Sequence, residues 1–292
     1  MAESTALVNA MTVDVEDYFH VSALANAIDR QDWSSMELRA EASTRALLEL
    51  FSAHEVKATF FVLGWMAERS PALVREIANE GHEIACHGWS HRLVYEQSRQ
   101  EFRDEALRCK QLLEDLTGTK VLGYRAASYS ITRASLWALD DLIDLGFVYD
   151  SSIFPIRHDR YGIPDANRAP GPVVAPSGRP IVEFPLTTAK LGGLRVPCSG
   201  GGYFRLLPYW FTRNMLRRVN TRDALPFIFY LHPWEIDAGQ PRFDAGWLSN
   251  YRHYTNLKAC KQRLETLLGQ FSFARVDRVL ENLGLIASGR PA

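Results

Sequence analysis

The sequence predicts an α/β protein built as a closed or nearly closed β/α barrel. Two observations carry this. Short apolar runs alternate with segments of helical periodicity almost from the first residues, which implies parallel strands joined by right-handed crossovers. Seven or eight such units fit a barrel better than a six-stranded open sheet. No G-x-G-x-x-G follows the first strand, so a dinucleotide fold has no support.

Met11–Val15 reads as the first strand. Glu41–Ala53 places Ala46, Leu47, Leu50 and Phe51 at helical spacing. Ala58–Leu63 is a continuous apolar run closed by Gly64, as in a strand buried on both faces. Ser70 and Pro71 open a helix, with Ser as N-cap and Pro at the first position, and Gly81 closes it. Glu83–Cys86 is a brief strand. The stretch Ser98–Leu116 carries Phe102, Ala106, Cys109, Leu112, Leu113 and Leu116 on one side and stops at Gly118. Val121 and Leu122 mark a strand, Thr132 caps a helix through Ile143, and Phe147–Asp150 is a strand. Pro155–Pro180, rich in Pro, Gly and Arg, reads as an irregular excursion. Ile181–Phe184, Phe227–Leu231 and Phe271–Val276 are further strands, with a helix over Tyr254–Leu268. The glycine run Ser199–Gly202 lacks the lysine of a phosphate loop and reads as a turn beside the barrel mouth, with three glycines that permit close backbone approach.

The chain has 292 residues, 33 Lys+Arg against 34 Asp+Glu, and 47% hydrophobic residues. Such a balance gives no reason to expect nucleic acid or an anionic membrane as partner. Cys86, Cys109, Cys198 and Cys260 form no C-x-x-C pair, so reduced, buried thiols are expected. Residues 1–13 show no basic start followed by an apolar run, and no window approaches the roughly 20 apolar residues of a membrane span. A cytoplasmic protein is expected, or a periplasmic one if a leader has been trimmed away.

In β/α barrels the reactive side chains sit at the carboxyl ends of strands. Here those ends carry Asp14, His87, Arg125, Asp150 and His232, which would converge on one mouth. His87 and His91, spaced i, i+4, share a face if the segment turns helically and suit a divalent cation. Taken alone the pair reads as well as surface or core. Asp14-Val-Glu-Asp17 is an acidic cluster; in extended geometry Asp14 and Glu16 share one face. A metal with two His ligands and one carboxylate needs such a donor and keeps positions open. His232 follows the most hydrophobic strand, where an acid–base role is natural.

Together, Asp14–Asp17, His87-Gly-Trp-Ser-His91, Gly123-Tyr-Arg-Ala-Ala-Ser128 and Leu231-His232 resemble the ordered motifs of the polysaccharide deacetylases, the NodB-homology proteins of carbohydrate esterase family four. The resemblance covers roughly residues 10 to 235. The Asp14–Phe19 start and Ser199–Pro208 further resemble the subgroup from exopolysaccharide gene clusters linked to the exosortase system. It implies a distorted (β/α)7 barrel forming one domain over residues 1–292, with 236–292 an extension packed on the barrel. It also implies metal-dependent removal of N-acetyl groups from amino-sugar residues of a polysaccharide. By position, Asp14 would be the base, His232 the acid, and Arg125 the residue that orients Asp14. His87 and His91 would hold the metal, expected to be zinc.

Two departures stand out. The family's second adjacent Asp is here Val15, so the carboxylate ligand falls to Glu16 or Asp17, and face alternation favours Glu16. The Pro two positions after the arginine is Ala127, which loosens that loop. Trp89, Tyr203 and Trp234 offer faces for sugars, although each also reads as packing, and Asp150 is the expected carboxylate partner of His232. The rival readings are an allantoinase-like cyclic amide hydrolase and a catalytically silent glycan-binding module. Loss of base or acid would mark the second, and both are present.

Overall fold

The computed structural model describes residues 7–158 and 160–287. Its strands are β1 (Val8–Val15), β2 (Thr59–Val62), β3 (Glu83–Cys86), β4 (Gly123–Tyr124), β5 (Tyr149–Asp150), β6 (Gly171–Val174), β7 (Pro180–Glu183), β8 (Thr188–Leu191), β9 (Leu194–Pro197), β10 (Ile228–Leu231) and β11 (Ser272–Ala274). The main sheet runs β10-β1-β2-β3-β4-β5-β7-β6. From β10 to β7 every neighbour is parallel, which makes seven parallel strands, and β6 is an antiparallel edge.

Among the described residues no ladder joins β7 back to β10. An irregular seam bridges the gap instead. Thr187 Oγ1 accepts from the Ile228 amide at 2.9 Å, Ser199 Oγ donates to the Thr187 carbonyl at 3.2 Å, and the Tyr230 amide donates to the Ser199 carbonyl at 3.0 Å. Gly200 makes an isolated parallel bridge with Tyr230, at φ 140°. A Cβ there would meet the Tyr230 carbonyl oxygen at 1.9 Å, so only glycine lets the seam close. The distortion of this α/β barrel lies at that seam.

The helices are α1 (Ala40–Ala53), α2 (Gly64–Arg69), α3 (Pro71–Asn79), α4 (Arg99–Thr117), α5 (Trp137–Asp144), α6 (Gly201–Leu206), α7 (Tyr209–Thr221), α8 (Trp247–Tyr254), α9 (Leu257–Leu268) and α10 (Val276–Asn282). All of β2 is buried, as its unbroken apolar run requires. A reciprocal capping box between Ser98 and Glu101 starts α4, and Gly118 in the left-handed region ends it.

Several local expectations are corrected. Ser70 does not cap α3, because its hydroxyl donates to Glu41 of α1 at 2.6 Å. The fourth strand is Gly123–Tyr124, two residues later than the apolar pair Val121–Leu122. The helix expected over residues 254–268 is α9, which starts three residues later, after Asn256 takes a left-handed conformation (φ 58°), and α8 before it carried no signal. Residues 155–180 contain β6, and the glycine run opens helix α6 rather than a loose turn. The β8–β9 hairpin, α7 and α10 carried no clear signal. The segment after residue 236 does more than pack on the outside: β11 joins the main sheet beside Val8–Ala10, and α8 walls the barrel mouth. All four cysteines are buried and unpaired. Among the described residues no helix is long and apolar enough to cross a membrane.

Candidate active site

The strand ends meet at a cavity of about 210 Å³ whose lining includes Asp14, Glu16, His87, His91, His232 and Trp234. Asp14 is the penultimate residue of β1 and is buried. Arg125, wholly buried just past β4, donates from Nη1 to Asp14 Oδ1 at 2.6 Å and to Thr12 Oγ1 at 2.9 Å. Its other nitrogens donate to the hydroxyl and carbonyl of Ser151, and its plane covers the Phe61 ring at 4.0 Å. A buried cation is tolerated when paired and fully hydrogen-bonded in this way. Tyr129, which the motif reading stopped short of, adds a longer hydroxyl contact to Asp14 Oδ2 at 3.4 Å.

Glu16, His87 and His91 are all buried, and one ligand atom from each lies within 4.8 Å of the other two. Glu16 Oε2 is 2.7 Å from His91 Nε2 and has no further partner, while Oε1 accepts from the Trp234 indole at 3.3 Å. Burial alone would raise the Glu16 carboxyl, but His91 and His232 beside it hold it well below the usual range. His87 Nδ1 meets the Arg125 carbonyl at 2.9 Å. A carbonyl only accepts, so Nδ1 carries the proton and Nε2 keeps its lone pair for the cavity. Burial pushes the His87 imidazole down to about 4, so it is neutral at pH 7, as a ligand must be. This donor set of two imidazoles and one carboxylate fits a divalent cation such as zinc with positions left open.

Asp17 is committed elsewhere. Its carboxylate accepts the backbone N–H groups of Tyr18, Arg39 and Ala40 at 2.9, 2.7 and 2.8 Å, and it stands outside the triad. Asp150 does not reach His232 either. It faces Glu183 across the β5–β7 ladder, accepts from Ser152 Oγ at 2.6 Å, and is pushed up to about 6 by burial.

His232 Nδ1 lies 2.8 Å from Glu235 Oε1, and its Nε2 points at Asp14 Oδ2 (3.8 Å) and Glu16 Oε1 (3.6 Å). Burial works against the charged imidazole, but Glu16 and Glu235 outweigh it and push His232 up to about 9. Glu235 is held in turn by the buried Arg205, Nε to Oε2 at 2.7 Å. The sequence reading missed Glu235 and Arg205. A signal for Glu235 existed in its i, i+3 spacing from His232 with Pro233 opening the turn, whereas Arg205 carried none.

Of the three aromatic residues, only Trp234 lines the cavity. Its ring stacks on His232 (5.1 Å) and His253 (4.5 Å), so it orients imidazoles rather than offering a free face. Trp89 lies outside the cavity, packed over Gly64 with the Arg108 guanidinium 3.4 Å from its ring centre. Tyr203 is half-buried against Phe154 and does not reach the lining; its neighbours Gly201 and Gly202 do. Despite Ala127, the arginine loop is tied down by the Ala126 amide donating to Ser152 Oγ at 2.8 Å. Ser128 and Tyr129 hold positive φ there (50° and 55°), a strained conformation of the kind kept at working sites.

Comparison with known proteins matches residues 31–144 to the family model described as polysaccharide deacetylase. Residues 151–281 match a domain of unknown function, DUF3473. A peptidoglycan-N-acetylglucosamine deacetylase of Bacillus cereus is 40% identical over 75 residues, which is 26% of this chain and 27% of that protein. A peptidoglycan deacetylase of Helicobacter pylori is 31% identical over 107 residues, 37% of this chain and 36% of that one. The matched part thus spans about a quarter to a third of these relatives. Among solved structures, an assigned polysaccharide deacetylase from Mycobacterium smegmatis superposes with a TM-score of 0.63 at 19% identity, covering 100% of this chain and 96% of that one. PuuE allantoinase gives 0.62 at 17%, covering 96% and 91%. At such identities the two structures share the fold. The cavity lining straddles both matched segments, with His87 and His91 from the first and Arg205 and His232 from the second, while Asp14 and Glu16 precede both.

Proposed function

From the premise that the chain carries a polysaccharide deacetylase domain of the NodB type, we propose that it works as one domain over residues 1–292. In this reading it removes N-acetyl groups from amino-sugar residues of a bacterial polysaccharide or its precursor, releasing acetate. One observation carries the reading. Buried Glu16, His87 and His91 converge in the lining of one cavity of about 210 Å³ that Asp14 and His232 also line, with His232 Nε2 3.6 Å from Glu16 and 3.8 Å from Asp14.

Glu16, His87 and His91 would hold a divalent cation, zinc by ligand type, which when bound polarises the acetamide carbonyl and acidifies water. Asp14, fixed by Arg125, accepts the proton of the attacking water. His232, charged at neutral pH through Glu16 and Glu235, donates from Nε2 to the departing amine, a poor leaving group unless protonated. His87 is kept in the ligating tautomer by the Arg125 carbonyl, so Arg125 serves both halves of the site.

The test is acetate release from a panel of N-acetylated oligosaccharides, with and without chelator, beside ring opening of a ureide. Chelator-sensitive acetate release is expected. Ring opening without acetate release would favour the allantoinase-like reading, and binding with no turnover the silent module.

A further inference from the structure

Residues 184–222 contain no Asp or Glu, yet hold Lys190 and six arginines. At the chain's average of 34 acids in 292 residues, a stretch of this length would carry about four or five. The near-neutral total therefore hides a strongly segregated charge. Four of these arginines, Arg213, Arg217, Arg218 and Arg222, fall on α7 or its C-cap. Thr212, Leu216 and Val219 turn one side of α7 into the core. Trp210, Asn214, Arg217 and Thr221, spaced i, i+4, i+7 and i+11, form an exposed stripe on the other.

These cations are not used inside the protein. Among the described residues no carboxylate lies within ion-pair distance of Lys190 or of the four arginines, and the Nε atoms of Arg213 and Arg218 have no hydrogen-bond partner. The first acid after the stretch, Asp223, is already taken by Arg168 at 2.5 Å. Apolar side chains stand exposed beside the charges. Trp210, one turn before Arg213, is 61% exposed and meets Phe211 edge-on. Strand β8 packs beside α7, and the tip of the β8–β9 hairpin exposes Leu191 (42%) and Leu194 (71%) next to Lys190.

We propose that α7 and the β8–β9 tip dock the protein on a bilayer surface rich in anionic phospholipid headgroups. Unpaired guanidinium groups complement phosphates and keep their charge at any working pH. Each cation near such a surface strengthens binding, and an exposed Trp settles at headgroup level. The two leucines choose between occupants. An anionic polymer in water would meet the arginines but leave Leu191 and Leu194 exposed, whereas a bilayer takes them into its acyl boundary. Neither α7 nor the hairpin tip lines the active cavity, so the inference does not depend on the deacetylase reading.

The test mixes the full chain with vesicles of phosphatidylcholine, alone or with about one third phosphatidylglycerol, and reads the pelleted fraction. The anionic vesicles should bind at least about ten-fold more tightly, and about 0.5 M salt should abolish the difference by screening. Arg217→Gln with Arg222→Gln should weaken anionic binding roughly ten- to thirty-fold, at about five-fold per cation lost. Leu191→Ser with Leu194→Ser should weaken it about ten-fold. Trp210→Phe should remove the blue shift in emission that vesicles cause in the wild type. All five exchanged residues are exposed, and circular dichroism with thermal melts checks the fold. Equal binding to both vesicle types, or binding that survives the arginine pair and high salt, overturns the proposal. So does binding of heparin or duplex DNA, without vesicle binding, that the leucine pair leaves intact; the patch then serves an anionic polymer. A dimer in light scattering that either pair converts to monomer overturns it as well.

Discussion

His232 finds its carboxylate partner only three residues away: Glu235 Oε1 sits 2.8 Å from its Nδ1, and the backbone amide of His232 donates to the same oxygen at 3.1 Å. The turn Pro233–Ile236 folds the carboxylate back under the imidazole. Nε2 is thereby aimed at the cavity and must be the atom that gives up a proton. Glu16 also raises His232, but a cation on Glu16 would cancel much of its charge. Glu235, hydrogen-bonded to Nδ1, then remains with the more distant Asp14 to keep His232 protonated at neutral pH.

Glu235→Gln keeps an acceptor for Nδ1 but removes the charge. The folded pKa of His232, pushed up to about 9, should fall, and the alkaline limb of the kcat/KM profile should move down by about one pH unit or more. His232→Ala should lose roughly 10²–10⁴-fold in turnover and retain metal. An unmoved alkaline limb in Glu235→Gln would remove Glu235 from the mechanism.

Glu16 and Asp17 are adjacent yet should separate cleanly in metal analysis. Glu16→Gln and His87→Ala should each weaken zinc binding by more than the roughly 10–100-fold typical of outer-sphere changes. Asp17→Ala should leave stoichiometric zinc but cost about 1–3 kcal/mol of stability, because three backbone N–H groups lose their acceptor. Calorimetric zinc titration and thermal melts give both readings; zinc lost from Asp17→Ala with no change in melting would reverse the assignment.

Much of this site was legible because strand ends in a parallel barrel are local features. Asp14, His87, Arg125 and His232 each follow an apolar run directly, and the fold gathers such ends whatever the loops do. What could not be read depends on distant pairs. Arg205 lies 30 residues from Glu235 and sits in a helix that a glycine run disguised as a turn. Asp150 looked equivalent to the other strand-end acids, but its neighbour is decided by β7, which arrives only after the 155–180 excursion. The β8–β9 hairpin was hidden because exposed edge strands lack the unbroken apolar run that marked β2. Face alternation already favoured Glu16 over Asp17, and the reason Asp17 is taken up elsewhere, capping the start of α1, depends on residues more than twenty positions away.

A buried acid at the foot of the barrel should set how stability varies with pH. Glu83 accepts from the Thr59 hydroxyl at 2.5 Å, the Tyr149 hydroxyl at 2.9 Å and the Asp277 amide at 3.2 Å. Burial, with Asp277 nearby, pushes its carboxyl up to about 8, against an ordinary value of 4.5. The folded state thus binds a proton that the unfolded state releases first. The stabilising contribution is complete below about 4.5 and is lost as pH rises to about 8. Melting temperature should decline across that window in the wild type, and the decline should be shallower in Glu83→Gln. Equal slopes would show that Glu83 titrates normally.

Arg205 allows structure and catalysis to be separated. It forms a buried ion pair with Glu235, so Arg205→Ala should cost about 3–5 kcal/mol by stranding that carboxylate. Arg205→Lys should rescue little, since one ammonium cannot serve the carboxylate and the carbonyls of Arg252, His253 and Thr255 at once. Replacing both partners, Arg205→Met with Glu235→Met, removes the stranded charge. Buried pairs exchanged for apolar side chains are often neutral or better. Here the gain is offset by the α8 carbonyls left without donors, so stability should recover only in part, above that of Arg205→Ala. Turnover should not recover, because His232 still lacks the carboxylate that holds its proton and its orientation. Denaturant melts and acetate release on the same samples check this. A double variant that regains both stability and turnover would mean that the pair serves packing alone.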